Sequence, residues 1–332
     1  MKKMLRNVEK LLITGGCGFI GTNYVSIALK KGLSVLNVDD LKYSANIAQN
    51  EIFKRNENYH HEQLDITNFE KMRSIVMDYR PSAVIHMAAE SHVDNSISNP
   101  EKFMETNVFG TFNLLQIVRE FILENPNDDF IFHHVSTDEV FGSLGVKGYF
   151  NETTPYSPRS PYSASKAASD HLVRAWGETY NLPYLITNCS NNFGPFQHTE
   201  KFIPKVIESC SNQQSIPIYG AGDNVRDWIF VTDHVRILLE LLHVAPVKNT
   251  FCIGGEMEFS NLELCHLICD KFDELKTPDR SSRDLIRFVE DRKGHDFRYS
   301  IDNSKLNGLL KGFIKTDFNK ALSETMSWYL QQ

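Results

Sequence analysis

Tyr162 and Lys166 lie four residues apart in the segment YSASK. Residues at this spacing share one face of a helix. An ammonium group beside a phenol is expected to lower the phenol pKa from about 10. The resulting phenolate can take the proton of an alcohol while hydride leaves the same carbon. Because the spacing alone arises often by chance, this reading needs support from other residues.

Thr137, Asp138 and Glu139 follow an apolar run of strand length. Ligands of open α/β sheets bind at the carboxyl ends of such strands. The Thr137 hydroxyl could hold the same substrate oxygen as Tyr162. Elimination of water needs one group to take a C–H proton and another to protonate the departing hydroxyl, and burial beside a second carboxylate can keep one acid protonated. The carboxyl pair therefore favours elimination, with a simple loop cap as the alternative.

A glycine-rich turn indicates a dinucleotide site. Gly15, Gly18 and Gly21 form G-x-x-G-x-x-G between a strand-like run and a helix-like run. Glycines allow the tight turn and let backbone N–H groups approach a pyrophosphate at the helix N-terminus.

Acidic residues after two further runs suggest which dinucleotide binds. Asp39 ends the next strand-like run, where its carboxylate would bind the ribose hydroxyls and repel a 2′-phosphate. This favours NAD over NADP, although Lys42 could weaken the preference. Asp65 and Ile66 are placed to meet the adenine edge, but Asp65 could equally cap the helix predicted over residues 68–79.

The elements that would position these residues alternate between strand-like and helix-like runs. The strand-like runs cover residues 10–14, 33–38, 83–87, 130–136 and 184–188. Strands separated by helices predict an α/β fold with a doubly wound, Rossmann-like parallel sheet. The clearest helical stripe contains Phe103, Met104, Val108, Thr111, Leu115 and Val118.

Prolines and glycines punctuate shorter elements after about residue 190, which indicates a second, smaller and partly discontinuous domain. We expect the NAD-binding domain to cover residues 1–190 with return segments near 226–256. The substrate-binding domain would cover 191–225 and 257–332. A length of 332 residues suits about two domains at roughly 150 residues each.

Composition excludes several classes of protein. The chain has 35 basic and 42 acidic residues, a net charge of −7, which argues against binding to nucleic acid or to an anionic membrane. We find no membrane-length apolar run and no signal-peptide core. Six irregularly spaced cysteines predict a reduced, cytoplasmic, soluble protein. Cys265 and Cys269 lack zinc-site spacing and are expected in the core, so no metal is predicted.

Several longer segments share a family pattern: LLITGGCGFIGTN, VDDLKYSAN, HMAAESHVDNSI, HVSTDEVFG, SPYSASKAASD, NNFGPFQHTEKFIP and DRKGHDFRYSID. Together they resemble the nucleotide-sugar 4,6-dehydratases of the extended short-chain dehydrogenase/reductase superfamily. The similarity runs almost end to end. HVSTDEVFG is the segment that separates these dehydratases from epimerases of the same fold.

The resemblance implies a reaction cycle that consumes no net oxidant. Tyr162, aided by Lys166 and Thr137, removes the O4 proton while the C4 hydride passes to NAD. Glu139 takes the C5 proton, Asp138 protonates the C6 hydroxyl, and water leaves. The hydride then returns to C6, which gives a 4-keto-6-deoxy sugar and implies tightly held NAD.

The resemblance also implies two sets of binding residues. The NAD set is Gly15, Gly18, Phe19, Ile20, Gly21, Asp39, Lys42, Asp65, Ile66, Ala88, Ala89, Thr106, Tyr162, Lys166 and Asn192. The sugar-nucleotide set is Ser91, Thr137, Asn191, Lys201, Phe202, Pro217, Tyr219, Arg226, Asn261, Arg292 and His295. For Arg226, an ordinary surface ion pair with Asp227 is the alternative.

Some choices stay open. dTDP-glucose is favoured as substrate, but Asn95 and Lys293 depart from the family pattern and leave UDP-glucose possible. A 4-epimerase or a non-catalytic NAD-binding regulator is the alternative function. The family implies a homodimer through a four-helix bundle. The helix 103–121 and the small residues Ala164, Ala167, Ala168 and Ala175 would either form that interface or pack on the sheet.

Overall fold

Strands and helices alternate along the chain in a computed structural model, which describes residues 5–126, 129–291 and 294–331. The strands are β1 (Lys10–Thr14), β2 (Ser34–Asp39), β3 (Tyr59–Gln63), β4 (Ala83–His86), β5 (Ile131–Thr137), β6 (Tyr184–Cys189), β7 (Asn191–Phe193), β8 (Ile216–Tyr219), β9 (Val225–Phe230), β10 (Asn249–Ile253), β11 (Glu258–Ser260) and β12 (Ile286–Val289). The α-helices are α1 (Phe19–Lys30), α2 (Ile47–Phe53), α3 (Phe69–Tyr79), α4 (Val93–Ser98), α5 (Pro100–Phe103), α6 (Gly110–Glu124), α7 (Pro161–Tyr180), α8 (Phe202–Ser211), α9 (Val231–Val244), α10 (Asn261–Lys276), α11 (Ser304–Leu309) and α12 (Phe318–Leu330). Within the described ranges, no helix combines the length and apolarity needed to cross a bilayer.

Seven strands form one parallel sheet in the order β3-β2-β1-β4-β5-β6-β10. This order confirms the predicted doubly wound α/β fold. In register, Thr14 lies opposite Val38 on one side and His86 on the other, and Thr137 lies opposite Cys189. The loops that leave β1, β2, β4, β5 and β6 therefore meet at one edge of the sheet.

Helices cover both faces of the large sheet. Leu11 and Ile13 of β1 face a core shared with α1 and α9, whereas Leu12 faces a core shared with α3, α6 and α7. This alternation follows from the two-residue period of a strand. Because both faces are buried, β1 is apolar on both faces at Leu11, Leu12 and Ile13, as the sequence predicts.

Helix α7 begins with a hydrogen-bonded cap that sets its first turn. The Ser160 hydroxyl accepts the Ser163 N–H at 3.0 Å, and the Ser163 hydroxyl accepts the Ser160 N–H at 3.0 Å. Pro161, whose φ is already helical, occupies the first helical position. The helix therefore starts immediately before Tyr162 and carries Lys166 one turn further along, against β5.

A π-helical turn over Met104–Phe109 separates α5 from α6. A π turn holds an extra residue, so it rotates the side chains that follow it about the helix axis. Met104, the first residue of this turn, is exposed, as are Phe109 and Phe112 outside the stripe, so the chain itself does not bury the whole predicted stripe. The stripe residues buried inside the chain are Phe103, Thr111, Leu115 and Val118.

Short elements after β6 build a second, smaller core. Strands β7, β9 and β11 form one small sheet, and β8 pairs with β12 in another. Helices α8, α10 and α12 pack over them, and Cys265 and Cys269 are fully buried there, which confirms their prediction as core residues. In contrast, α9 packs against α1, and β10 extends the large sheet. The boundaries of the two domains stay a prediction.

Candidate active site

A cavity of about 330 Å³ opens at the carboxyl edge of the large sheet. The strand order reverses between β1 and β4, and ligands of doubly wound sheets bind at such a point. The predicted NAD residues all line this cavity. So do the predicted catalytic residues Thr137, Asp138, Glu139, Tyr162 and Lys166. The structure thus brings both sets into one site.

The glycine loop shows where a pyrophosphate would fit. Gly15 has a φ of +76°, and a Cβ there would lie 2.6 Å from the Ala88 nitrogen. A Cβ on Gly21 would lie 2.1 Å from the Gly15 oxygen. On Gly18, the nearest described atom to a Cβ would be the Gly15 oxygen at 3.4 Å, so protein packing does not demand this glycine. Gly18 precedes α1, whose first turn carries no acidic residue, which suits an anion at that helix N-terminus.

The ribose side of the cavity is acidic. Asp39 accepts the backbone N–H groups of Cys17 and Leu41, each at 2.9 Å. Lys42 lies 2.7 Å from Asp40 and 3.3 Å from Glu90. Burial opposes the charge of Lys42, but the hydrogen bond and charge of Asp40 and the charge of Glu90 raise its pKa. Because carboxylates already pair with Lys42, the site favours NAD over the extra phosphate of NADP.

Asp65 lines the cavity without capping the helix that follows. Its carboxylate accepts the Thr67 N–H at 2.9 Å, in a local turn. The cap of α3 is Asn68, whose side chain accepts the Lys71 N–H at 3.2 Å. The capping alternative for Asp65 is therefore wrong.

Tyr162 and Lys166 are both buried at the cavity floor. The Tyr162 hydroxyl pairs with Thr137, and Lys166 Nζ donates to the Val135 carbonyl at 2.9 Å. Burial, with the nearby Glu139 charge, raises the pKa of Tyr162 well above its usual value. In the chain alone this pKa is therefore raised, not lowered as the spacing to Lys166 predicts, and burial is the largest cause. Burial also lowers the pKa of Lys166.

Asp138 and Glu139 occupy the short 3-10 turn that follows β5. Asp138 is buried, and its Oδ2 has no hydrogen-bond partner among the described residues. Burial, and then the charges of Glu139 and Asp227, raise the pKa of Asp138 well above its usual range. The raised pKa favours the protonated form of Asp138, which suits a proton donor, whereas Glu139 is only half-buried beside it.

The predicted sugar-nucleotide residues divide into two groups. Ser91, Thr137, Asn191 and Lys201 line the cavity. Lys201 Nζ also donates to the Ser91 carbonyl at 3.3 Å. Six more lie outside the cavity wall, in or next to the smaller core: Phe202, Pro217, Tyr219, Arg226, Asn261 and His295. Arg292, like the neighbouring Lys293, lies outside the described residues.

Arg226 is buried between the smaller core and the catalytic turn. Its guanidinium donates to the Val225 carbonyl at 2.8 Å and the Asp296 carbonyl at 2.9 Å, and it lies 4.3 Å from the Tyr299 ring centre. The alternative of a surface pair with Asp227 is wrong, because Asp227 is also buried and accepts the Met257 N–H. The positive charge of Arg226 lowers the pKa of Asp138, but by less than burial and the charges of Glu139 and Asp227 raise it.

His295 and Tyr219 form a separate cluster beside β8 and β12. Their ring centres lie 6.4 Å apart, and His295 Nδ1 lies 2.7 Å from the Asp291 carboxylate. The chain therefore offers aromatic and polar groups outside the cavity wall, which is consistent with a ligand that extends beyond the cavity.

Several residues of the cavity wall were not predicted, among them Tyr43, Glu90 and Glu200. The Tyr43 hydroxyl donates to Glu200 at 3.2 Å, which joins the loop after β2 to the segment before α8. Glu90 directly follows the predicted Ala88 and Ala89, so the strand-end argument could have found it. Glu200 directly precedes the predicted Lys201 within the segment NNFGPFQHTEKFIP, so the resemblance could have found it as well.

Known proteins resemble this chain over nearly its whole length. A family model described as GDP-mannose 4,6 dehydratase matches residues 12–325. The dTDP-glucose 4,6-dehydratase of Neisseria meningitidis serogroup B is 44% identical over 333 residues, covering 97% of this chain and 94% of the relative. DesIV, a dTDP-glucose 4,6-dehydratase from Streptomyces venezuelae with NAD and TYD bound, has a TM-score of 0.88 and 36% identity, with 97% of each chain covered. The dTDP-glucose 4,6-dehydratase from Bacillus anthracis in complex with NAD has a TM-score of 0.86 and 36% identity, covering 98% of this chain and 97% of that one.

Proposed function

Since this chain belongs to the nucleotide-sugar 4,6-dehydratase family, we propose that it is an NAD-dependent hydro-lyase that converts dTDP-glucose into its 4-keto-6-deoxy derivative. The observation that carries this conclusion is the meeting of Tyr162 with the carboxyl pair Asp138 and Glu139 in one cavity. Tyr162 serves oxidation at C4, and the two carboxyls serve the loss of water.

NAD fits the cavity through the room left at Gly18 and the acidic ribose side around Asp39. When bound there, NAD would supply a two-electron acceptor, so that the hydride removed from C4 could return at C6. The deoxysugar product therefore forms without an external oxidant or reductant.

The chain's own residues move the protons. Tyr162, held by its hydrogen bond with Thr137, accepts the O4 proton, and Lys166 supplies the positive charge that stabilises the resulting phenolate. The ketone at C4 makes the C5 proton acidic, and Glu139 takes it. Asp138, which burial keeps protonated, gives its proton to the C6 hydroxyl as water leaves. Return of a proton to C5 completes the product.

A nucleotide-sugar 4-epimerase would need Tyr162 and Lys166 but neither Asp138 nor Glu139. A buried acid beside a second carboxyl is unfavourable unless it is used, which supports the dehydratase. A protein that only bound NAD would require none of these catalytic groups. The same reaction on UDP-glucose is the alternative closest to our proposal.

The proposed homodimer would use the outer surface of α6, α7 and the π turn that precedes α6. Met104 and Phe109 are exposed on the π turn and Phe112 on α6, and the Phe112 ring lies 5.8 Å from that of Trp176 in an edge-to-face contact. An apolar patch on two neighbouring helices suits pairing with a second copy of itself in a four-helix bundle. Ala167 is buried within the chain, so packing inside the protein already uses part of the predicted small-residue face.

We also propose a cytoplasmic location. All six cysteines are free and buried, which supports a reducing compartment.

The direct test is an assay of the purified protein against dTDP-glucose and UDP-glucose side by side. We expect dTDP-glucose to lose the mass of one water, and deuterium placed at C4 to appear at C6. An unchanged mass with an inverted C4 would indicate an epimerase instead. Consumption of NAD in proportion to product, or loss of the label, would contradict the internal return of hydride.

A further inference from the structure

A buried polar network lies beneath Tyr162 and Lys166, and the proposed reaction does not use it. Its centre is Asp170, whose side chain is 0% exposed. Asp170 follows Lys166 at the same four-residue spacing that separates Lys166 from Tyr162, so the three side chains share one face of α7. A buried carboxylate is costly unless it is paired, so its place directly below the catalytic pair calls for an explanation.

Three elements supply partners for Asp170. His134 of β5 places Nε2 3.1 Å from Oδ1 of Asp170. The Tyr156 hydroxyl donates to Oδ2 at 2.6 Å, and the side-chain amide of Asn188 on β6 donates to the same oxygen at 3.0 Å. The Asn188 amide also donates to the Thr137 carbonyl at 3.1 Å. Asp170 is thus linked, through one side chain, to the end of the strand that carries Asp138 and Glu139.

Among the described groups that face Lys166, the histidines and the cysteine are neutral, and Asp170 carries the opposite charge. His86 of β4 and His134 of β5 face it, but burial lowers the pKa of His134 to about 4 and that of His86 well below its usual value, so both are neutral. Burial raises the pKa of Cys189 on β6 to about 12, so its thiol is neutral as well.

Two further groups face Asp170 itself. Tyr156 is a neutral phenol, because burial raises its pKa, and the cation Arg174 donates to the Tyr156 hydroxyl at 2.7 Å. Burial opposes ionisation of Asp170, yet the close approach of His134, the charge of Lys166 and the hydrogen bond from Tyr156 lower its pKa to about 2. Asp170 is therefore an anion, and its charge offsets part of the desolvation of the Lys166 ammonium.

We propose that Asp170 is a positioning residue that keeps the buried Lys166 ammonium charged and, through Asn188, fixes the strand end that carries the acid and the base. This inference rests on the proposed function, because it assigns Lys166 a role in holding NAD and assisting Tyr162. One buried carboxylate then supports both the oxidation and the elimination.

The test is the pH dependence of NAD binding in the Asp170→Asn variant. Without the carboxylate, burial acts on Lys166 with less opposition, so the lysine loses its proton at a lower pH. The upper pH limit of NAD affinity, measured by calorimetry, should move down by about one unit or more. The alkaline limb of kcat should move in the same direction. NAD binding is the decisive readout, since Asp138 contributes its own alkaline limb to kcat.

Asp233→Asn is the matched control. Asp233 is also a buried carboxylate on a helix, 3.0 Å from Arg236, but it lies outside the cavity wall. This variant can lose thermal stability, yet its NAD affinity should keep the wild-type pH limit. An equal shift in both variants would mean that Asp170 acts only through general stability, and the proposal would fail.

Asp170→Glu keeps the negative charge and should retain the wild-type upper pH limit of NAD affinity. This variant still tests the proposal if Asp170→Asn does not fold. A lowered limit in Asp170→Glu, or an unchanged limit in a folded Asp170→Asn, would overturn the proposal. If wild-type protein binds NAD but does not dehydrate the sugar nucleotide, the proposed function fails, whereas the shift in NAD binding still decides the role of Asp170.

Discussion

The carboxyl edge of the large sheet and the smaller core after β6 contribute to one molecule in different ways. At the edge, every residue predicted from the motifs for catalysis or NAD binding lines a single cavity. In the smaller core, Tyr219 and His295 form a cluster of their own, and Arg226 is buried against backbone carbonyls. The carboxyl edge of the sheet holds the groups for catalysis and NAD binding, whereas the smaller core contributes groups suited to binding the substrate.

The difference follows from how each region is assembled. Parallel strands in register bring their carboxyl ends together, so a motif at a strand end is placed by the sheet itself. The smaller core pairs β8 with β12, and β9 with both β7 and β11, across long stretches of chain. Spacing along the sequence therefore carries little information about distance there.

The largest effect should come from the edge, in the Tyr162→Phe variant. Loss of the phenol removes the group that takes the O4 proton, so kcat should fall by about 10²–10⁴-fold with little change in KM. The assay is steady-state dehydration of dTDP-glucose followed by mass. Tyr24→Phe is the matched control, because the buried Tyr24 hydroxyl has no partner in the described part of the chain and should be dispensable. A loss confined to KM would remove Tyr162 from catalysis.

The Glu139→Gln variant should separate the two reactions at the carboxyl edge of the sheet, oxidation at C4 and loss of water. Without a base for the C5 proton, dehydration should fall by about 10²–10⁴-fold, while oxidation at C4 persists. Rapid-quench mass analysis should then find the 4-keto sugar that still carries its C6 hydroxyl. Equal loss of both steps would show that Glu139 supports oxidation as well, and the separation of roles would be wrong.

The pH profile should report the state of Asp138. Burial and the neighbouring carboxylates raise its pKa, which favours the protonated acid, and the proton is lost as pH rises through that raised pKa, so kcat should fall on the alkaline side. Asp138→Asn should lower kcat by about 10²-fold and remove the part of this limb that Asp138 sets, leaving the part that follows Lys166. An Asn variant whose alkaline limb is unchanged would assign the whole limb to other groups.

The smallest effect should come from the boundary with the smaller core, in Arg226→Gln. If Arg226 binds the diphosphate, KM should rise by roughly 10-fold, as for loss of a charged hydrogen bond, with a smaller change in kcat. Because Arg226 partly lowers the pKa of Asp138, the alkaline limb should also move to higher pH. The exposed Arg283, paired with Asp270, offers the control Arg283→Gln, which should change neither. A change in kcat larger than that in KM would indicate that Arg226 acts in catalysis, like the residues at the carboxyl edge of the sheet.

Much of the fold and of the cavity could be predicted from the sequence, and the exceptions have physical reasons. The apolar runs predicted β1, β2, β4, β5 and β6 of the large sheet, whereas the strand Tyr59–Gln63 is polar and has no such run. The matching family confirms the resemblance drawn from segments such as HVSTDEVFG. The raised pKa of Tyr162 could not be predicted, because it depends on burial and on Glu139, which the helix spacing to Lys166 does not encode. The carboxylate partners of Lys42 could not be predicted either, because folding brings them near this residue.

Asp170 shows that a signal can be present and still be overlooked. The spacing that singled out Tyr162 and Lys166 continues for one more turn and reaches it. Its partners His134 and Asn188 lie on separate strands, so its role becomes visible only in the fold.

The π turn over Met104–Phe109 makes the helix one residue longer than a regular hydrogen-bond pattern needs. Because the π turn winds by fewer degrees per residue than an α-helix, it takes up the extra residue, and deleting one residue would leave the helices on both sides in their present orientation. Thr106 lines the cavity from within this turn, whereas Phe112 is exposed on α6 beyond it. Such a deletion would therefore alter the cavity wall at Thr106 while the outer surface of α6 keeps its place.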